Sequence, residues 1–253
     1  MSLSKGITVL IPVLNEAENV DALMARLYSS LNTMNVPYEI LFVDDKSTDN
    51  TAKLIKKYAK KDDRINLHVK KGEKGKANSI IEGSSLAQYN TVCMIDADLQ
   101  YPPESIPAMY KQLVATSSDV VITNRKNNET SLLRKVFSAG FNLIFTKLLF
   151  GIDYDTQSGL KIFKTDIMKN ISLEASRWSF DLEFIVKSLL AGYIISDFDI
   201  DFAKRNAGEA KLNVLSTSYE LALASVKLRM SINKKSLSKQ YSLSKLATKV
   251  EAV

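Results

Sequence analysis

The side chains best placed for chemistry are two carboxylates, Asp96 and Asp98, separated by Ala97 at the end of the apolar run Asn90–Ile95. Paired carboxylates can hold a hard divalent cation, which prefers oxygen ligands. Such a cation can neutralise a diphosphate and stabilise it as a leaving group. Gln100 could add a further oxygen. The spacing alone carries little weight, because sixteen aspartates in 253 residues give about one such pair by chance and the chain holds four. Of the others, Asp197/Asp199 and Asp199/Asp201 lie in an alternating stretch and read as a solvated strand face. Asp153/Asp155 stands apart. The bland reading of Asp96/Asp98 is an acidic cluster ahead of the helix that begins at Pro102-Pro103. Basic residues match the chemical reading. Lys71, Lys74 and Lys76 flank Gly72 and Gly75, Arg125 follows a further apolar run, and Arg205 and Lys211 bracket Gly208. Each alone is a solvated charge; together they suit phosphate oxygens, the arginines through bidentate bonds.

The elements that must position these residues alternate regularly. Ile7–Val13, Tyr38–Val43, Arg64–Lys70, Asn90–Ile95 and Asp119–Thr123 read as strands. Between them Glu16–Asn32, Thr48–Lys61, Lys76–Gln88 and Pro103–Ala115 have helical spacing, the first with Val20, Leu23, Leu27 and Leu31 on one face. Continuous apolar strands are buried on both faces, and strict alternation with helices gives a mostly parallel sheet with helices on both sides. Ligands in such sheets bind beyond the carboxyl ends of the strands, where Asn15/Glu16, Asp44/Asp45, Lys71–Lys76, Asp96/Asp98 and Asn124/Arg125 all fall. The second half is less regular. Ser131–Phe150 and Phe180–Ala191 read as helices, Leu160–Phe163 and Tyr193–Phe202 as strands. Ser216–Ile232 mixes helical composition with strand-like alternation and is read as a helix. The Ser/Lys-rich stretch beyond Asn233 is expected to be loosely ordered.

Composition removes much of the remaining repertoire. With one cysteine, Cys93, and one histidine, His68, the chain has neither the ligands of a structural zinc site nor an internal disulfide. Cys93 lies in an apolar run and is expected in the core. Met1–Gly6 is short and polar, unlike a leader. No stretch reaches the roughly 18 apolar residues of a spanning helix, and Lys147 interrupts Phe141–Ile152. The net charge of +6 is uneven: residues 213–253 hold seven basic and two acidic residues, while the first 212 are nearly neutral. Such a tail, following an expected amphipathic helix, can hold a chain on an anionic membrane surface; a solubilising tail is the bland alternative. Without interleaved aromatics it gives no case for nucleic acid.

Several ordered segments resemble the family 2 glycosyltransferases of GT-A (Rossmann-like) fold, and more narrowly the polyprenyl-phosphate (dolichol-phosphate) mannose and glucose synthases. They are IPVLNEAENV at 11–20, LFVDDKSTDNT at 41–51, KGEKGKANSIIEG at 71–83, IDADLQYPPE at 95–104, NRKNNETSLLRKVFSAGFN at 124–142, DTQSGLKIFK at 155–164, WSFDLEF at 178–184 and RNAGEAKL at 205–212. The resemblance implies a catalytic domain over residues 1–212 and a basic helical tail over 213–253. It implies inverting transfer of a hexose, glucose or mannose, from a UDP- or GDP-sugar to a polyprenyl phosphate, dependent on Mg²⁺ or Mn²⁺. Pro12, Glu16, Asp45, Lys76 and Asp96 would bind the nucleotide, and Asp96, Asp98 and Gln100 the metal. Arg125, Arg134, Ser138, Arg205 and Lys211 would hold the phosphates, with Asp98, Asp155 and Arg125 at the reacting centre. Lys161 stands where an arginine is frequent. The implied location is cytoplasmic, peripheral on the cytoplasmic face of the membrane; homo-oligomerisation stays open. A family 2 enzyme using a sugar hydroxyl acceptor in cell-surface polysaccharide synthesis is the alternative, and would need Asp155 or Asp153 as a base. A nucleotidyltransferase and a non-catalytic nucleotide-binding scaffold are the remaining rivals.

Overall fold

The computed structural model describes residues 3–126, 146–174, 179–206 and 214–250. At its centre is a seven-stranded sheet of order β3-β2-β1-β4-β6-β5-β7, with β1 Ser4–Val13, β2 Tyr38–Asp44, β3 Ile65–Val69, β4 Tyr89–Met94, β5 Val120–Lys126, β6 Lys161–Lys164 and β7 Ile195–Asp201. All strands run parallel except β6, which is antiparallel to both β4 and β5. The chain leaves β1 toward β2 and β3, then crosses to β4 on the other side. This places a topological switch point between β1 and β4, where open sheets of this kind bind ligands.

Alternate residues of each strand feed two cores, one on each face. Val9, Ile11, Phe42 and Cys93 pack under α1 (Ala17–Leu31), α2 (Thr51–Ala59) and α4 (Ile106–Ala115). Leu10, Val43, Val92 and Met94 pack under α3 (Lys76–Leu86) and α6 (Phe180–Leu190). A four-residue helix, α5 (Ile167–Asn170), follows β6. Helix α3 lies so close to the sheet that a Cβ on Gly83 would collide with Leu10 and Val43. Cys93 is buried, as its apolar setting implies.

Two differences from the sequence expectations have physical causes. Strand β5 runs on to Lys126 because β7 pairs with it in register as far as Lys126↔Asp201, so Arg125 lies within the strand and not after it. The chain beyond Asn233 is not loose. After α7 (Val214–Ser231) it forms α8 (Lys234–Val250), which packs on α6 and β7. Leu237, Tyr241 and Ser244 share one face of α8. Leu237 is fully buried, the Tyr241 ring meets Tyr154 edge-on at 5.4 Å, and the Ser244 hydroxyl accepts from the Ile195 amide at 2.8 Å. Of the expected helix Ser131–Phe150, only a helical turn at 146–150 lies within the described residues.

Candidate active site

Three turns at the carboxyl edge of the sheet contain non-glycine residues in the left-handed region: Asn15 after β1 (φ 52°), Lys46 after β2 (φ 65°) and Leu99 after β4 (φ 61°). Left-handed residues other than glycine cost energy and concentrate at functional sites. The turns after β1 and β2 are laced together. The Asn15 amide donates to the Ser47 hydroxyl, the Thr48 amide to Asn15 Oδ1 at 2.7 Å, and the Glu16 amide to the Thr51 hydroxyl at 2.8 Å. Glu16 also accepts from the Asn19 side chain. Pro12, half-buried, is the penultimate residue of β1 and lies beside Val43.

Asp45 is buried. One oxygen accepts from the Gly75 amide at 2.7 Å and the other pairs with the Lys70 ammonium at 2.6 Å. Lys70 also donates to the Gly75 carbonyl and the Ser79 hydroxyl. This buried pair anchors the Gly72–Gly75 loop to β2. The sequence does not single out Lys70 among its neighbours, because the Asp45 that buries it comes from another strand. Lys71 and Lys74, by contrast, are exposed.

The acidic turn follows β4. Asp96 pairs with Lys76 at 2.5 Å, and Asp98 with Arg205 at 2.9 Å. Asp98 is buried and also accepts from the Gln100 amide at 3.1 Å. Burial pushes the Asp98 carboxyl above its ordinary value, and the nearby Asp96 charge pushes the same way against Arg205. The Gln100 side chain is buried and donates to the Ala203 carbonyl, while Ala203 and Asn206 amides return bonds to the carbonyls of Gln100 and Asp98. These bonds tie the segment carrying Arg205 onto the acidic turn. On the other side, a Cβ on Gly159 would strike Asp96 and the Tyr101 ring. The Gly159 amide donates to the Tyr101 hydroxyl at 2.7 Å.

Two carboxylates, one of them buried, form a donor set suited to a hard divalent cation. Among the described residues no cluster of three or more His, Cys, Asp or Glu side chains gathers around an ion. The protein would therefore supply two carboxylates, with the Gln100 side-chain oxygen as the further candidate, and leave other positions to phosphate oxygens and water, the mode Mg²⁺ usually adopts.

Next to the acidic turn, Arg125 and Asp155 form a bidentate pair, Nε to Oδ2 at 2.6 Å and Nη2 to Oδ1 at 2.8 Å. Their side chains are 13% and 11% exposed. The Arg125 guanidinium lies 5.3 Å from the centre of the Phe202 ring. Burial works against its charge, but the neighbouring Tyr101 and Asp155 hold it above the ordinary arginine value. Beside this pair opens a cleft of about 440 Å³ whose walls include Lys126, Thr146, Tyr154, Tyr241 and Lys245. Lys161 is fully buried, donating to the Ser158 carbonyl and pairing with Asp181 at 2.6 Å. Burial lowers its pKa and Asp181 opposes that shift. Asp181 belongs to WSFDLEF, and the only sequence hint of this pair is the lysine in place of a frequent arginine. Arg134, Ser138 and Lys211 lie outside the described residues.

Residues 8–171 match the family model described as glycosyl transferase family 2. The chain belongs to this family. Among curated proteins it is 30% identical over 222 residues to an undecaprenyl-phosphate 4-deoxy-4-formamido-L-arabinose transferase of Proteus mirabilis, covering 85% of this chain and 66% of that protein. It is 35% identical over 144 residues to the protein of the same name in Pectobacterium carotovorum, covering 56% of this chain and 44% of that one. The chain thus spans less than two thirds of the length of these relatives. Among solved structures, glucosyl-3-phosphoglycerate synthase of Mycobacterium tuberculosis with phosphoglyceric acid superposes with a TM-score of 0.72 at 13% identity, covering 90% of this chain and 81% of that one. Mannosyl-3-phosphoglycerate synthase of Rubrobacter xylanophilus gives 0.66 at 15% identity, covering 88% and 73%. These likenesses establish the GT-A fold.

Proposed function

We propose that the chain is an inverting glycosyltransferase that moves a sugar from a nucleoside diphosphate donor to a polyprenyl phosphate. The observation that carries this reading is the state of Asp155. Both of its oxygens are engaged by Arg125, and Oδ1 also accepts from the Gln157 amide. A carboxylate so held orients a guanidinium and is poorly placed to take a proton. Transfer to a sugar hydroxyl needs a base. A phosphate monoester, whose second pKa is about 6, is already largely dianionic at neutral pH and needs none. Asp153, the other candidate base, is exposed and paired with Lys147 at 2.9 Å.

On this reading an oxygen of the acceptor phosphate attacks the anomeric carbon from the face opposite the leaving group. The bond from that carbon to the donor diphosphate breaks, and the nucleoside diphosphate departs with the electron pair. Pro12, Glu16 and Asp45 shape the nucleotide end of the cleft, Asp45 by holding the Gly72–Gly75 loop. Asp96 and Asp98 would hold Mg²⁺ or Mn²⁺, which supplies positive charge to the leaving diphosphate. Gln100 fixes the turn and the Arg205 segment. Lys76 and Arg205 supply further cations beside the carboxylates, and Arg125 is assigned to the acceptor phosphate, a role the resemblance also gives Arg134, Ser138 and Lys211. Catalysis is then orientation and charge neutralisation.

The relatives' names support the polyprenyl phosphate acceptor. The M. tuberculosis synthase has been solved with Mn²⁺ and UDP-glucose, which supports a UDP-sugar donor and a divalent cation. The sequence resemblance favours a hexose, whereas the relatives' names carry a pentose derivative. A thermal-shift panel of UDP- and GDP-sugars, hexose and pentose, with and without Mn²⁺ tests the donor half. A metal-dependent rise in Tm with one nucleotide series is expected; no metal-dependent shift with any sugar nucleotide would overturn it.

A further inference from the structure

Helix α7 is apolar on two faces. Leu221, Ser225 and Leu228 are buried. On the opposite side Tyr219, Leu223, Val226 and Met230 recur every three or four residues, and they are 66%, 45%, 44% and 82% exposed. Lys227 and Arg229 stand to either side of this stripe. Helix α8 continues the pattern with exposed Lys234, Lys235 and Lys239, then exposed Leu243 and Leu246. Six of the ten large apolar side chains exposed among the described residues lie on these two helices, so exposed apolar surface is concentrated there.

We propose that the outer face of α7, extended by α8, docks on an anionic lipid bilayer. A surface helix normally turns a polar face outward, so the second apolar face of α7 calls for a covering partner. Charge selects that partner. Beside this stripe and its continuation on α8 stand Lys227, Arg229, Lys234, Lys235 and Lys239 against one acid among the described residues, Glu220, so a symmetric dimer built on it would bring together an excess of like charge, which opposes association. Anionic headgroups would neutralise them, with the long basic side chains reaching up to the headgroups while their stems and the apolar stripe enter the acyl boundary. The placement also suits the site, because Tyr241 and Lys245 of α8 wall the cleft beside Arg125 and Asp155. Docking would set that cleft close to a lipid-borne acceptor, a benefit that rests on the polyprenyl phosphate reading; the docking itself does not.

Flotation of the full chain with vesicles of phosphatidylcholine alone, or with phosphatidylglycerol added, tests this. The expected result is flotation with the anionic vesicles only, lost at high salt. The variant Leu223→Glu/Met230→Glu should bind at least tenfold more weakly with its Tm unchanged, since both side chains point to solvent. Lys234→Gln/Lys235→Gln should weaken binding by about fivefold per lysine. Failure of the native chain to float, or equal flotation of the Glu variant, would overturn the proposal. So would a concentration-dependent dimer in light scattering that the Glu variant abolishes, which would make a second copy the partner. Sugar transfer to a short, water-soluble polyprenyl phosphate, measured in parallel, separates the two ideas. If transfer persists without flotation only the docking falls, and if flotation persists without any transfer only the acceptor reading falls.

Discussion

Replacing Asp155 by Asn keeps the shape of the side chain and removes its charge. In the native protein the carboxylate receives two short guanidinium bonds, at 2.6 and 2.8 Å, and both partners are nearly nine-tenths buried. A hydrogen bond to a charged group contributes about 1.5–3 kcal/mol. The amide turns an N–H₂ toward one of the Arg125 nitrogens, so at least one of the two bonds is lost and Arg125 stays partly buried without a counter-ion. A loss of about 2–3 kcal/mol follows, a fall in Tm of roughly 4–12 °C for a chain of this size. Because Arg125 is no longer held, kcat should fall by about tenfold to a hundredfold, the scale of a misplaced orienting group. The decisive assay is the pH profile of sugar transfer to a polyprenyl phosphate. If Asp155 orients Arg125, the variant's activity is low at every pH and its profile keeps the native shape. Recovery toward native rates as the pH rises would mean that Asp155 removes a proton, and would refute the reasoning.

Asp98→Asn should abolish the metal-dependent donor shift, and at neutral pH the relief of a buried charge offsets the weakened bond to Arg205. Burial and Asp96 hold the folded carboxyl above its unfolded value, so its ionisation costs stability above that raised pKa. The cost fades as pH falls toward the ordinary carboxylate range, so the stability of the Asn variant relative to the native protein should fall in melts at acid pH. Gly159→Ala should cost about 1–3 kcal/mol of stability, the usual cost of overpacking, and weaken donor binding, because the added methyl displaces Asp96; unchanged donor affinity would count against a role for that carboxylate. Lys70→Met leaves Asp45 charged and buried, and breaking such a pair costs about 3–5 kcal/mol. Denaturant melts should show that loss, and proteolysis should open the Gly72–Gly75 loop first.

The parallel sheet was legible because its strands are unbroken apolar runs separated by helices with three-four spacing, and that pattern also fixed the edge where Asp96, Asp98 and Arg205 meet. What the pattern could not carry is pairing direction and partner choice. Leu160–Phe163 reads as a strand in either direction; its antiparallel sense shows only in its pairing with β4 and β5. Helix α8 looked loose because Ser and Lys dominate it, and its order comes from a few anchors, Leu237, Tyr241 and Ser244, that meet partners far away in sequence. Arg125 and Asp155 were both candidates from their segments, but that they engage each other depends on the length of β5. Lys70 was hidden for the same reason: adjacent lysines are equivalent in sequence until Asp45 selects one.

The most direct test of sugar transfer to a lipid phosphate is to supply undecaprenyl phosphate in vesicles with each sugar nucleotide and to measure lipid product and released nucleotide together. One glycosylated lipid phosphate, with inverted anomeric configuration, is predicted per nucleoside diphosphate released, with neither formed by the Asp98→Asn protein. Release of pyrophosphate, or transfer only to a saccharide hydroxyl with the lipid unmodified, would contradict it.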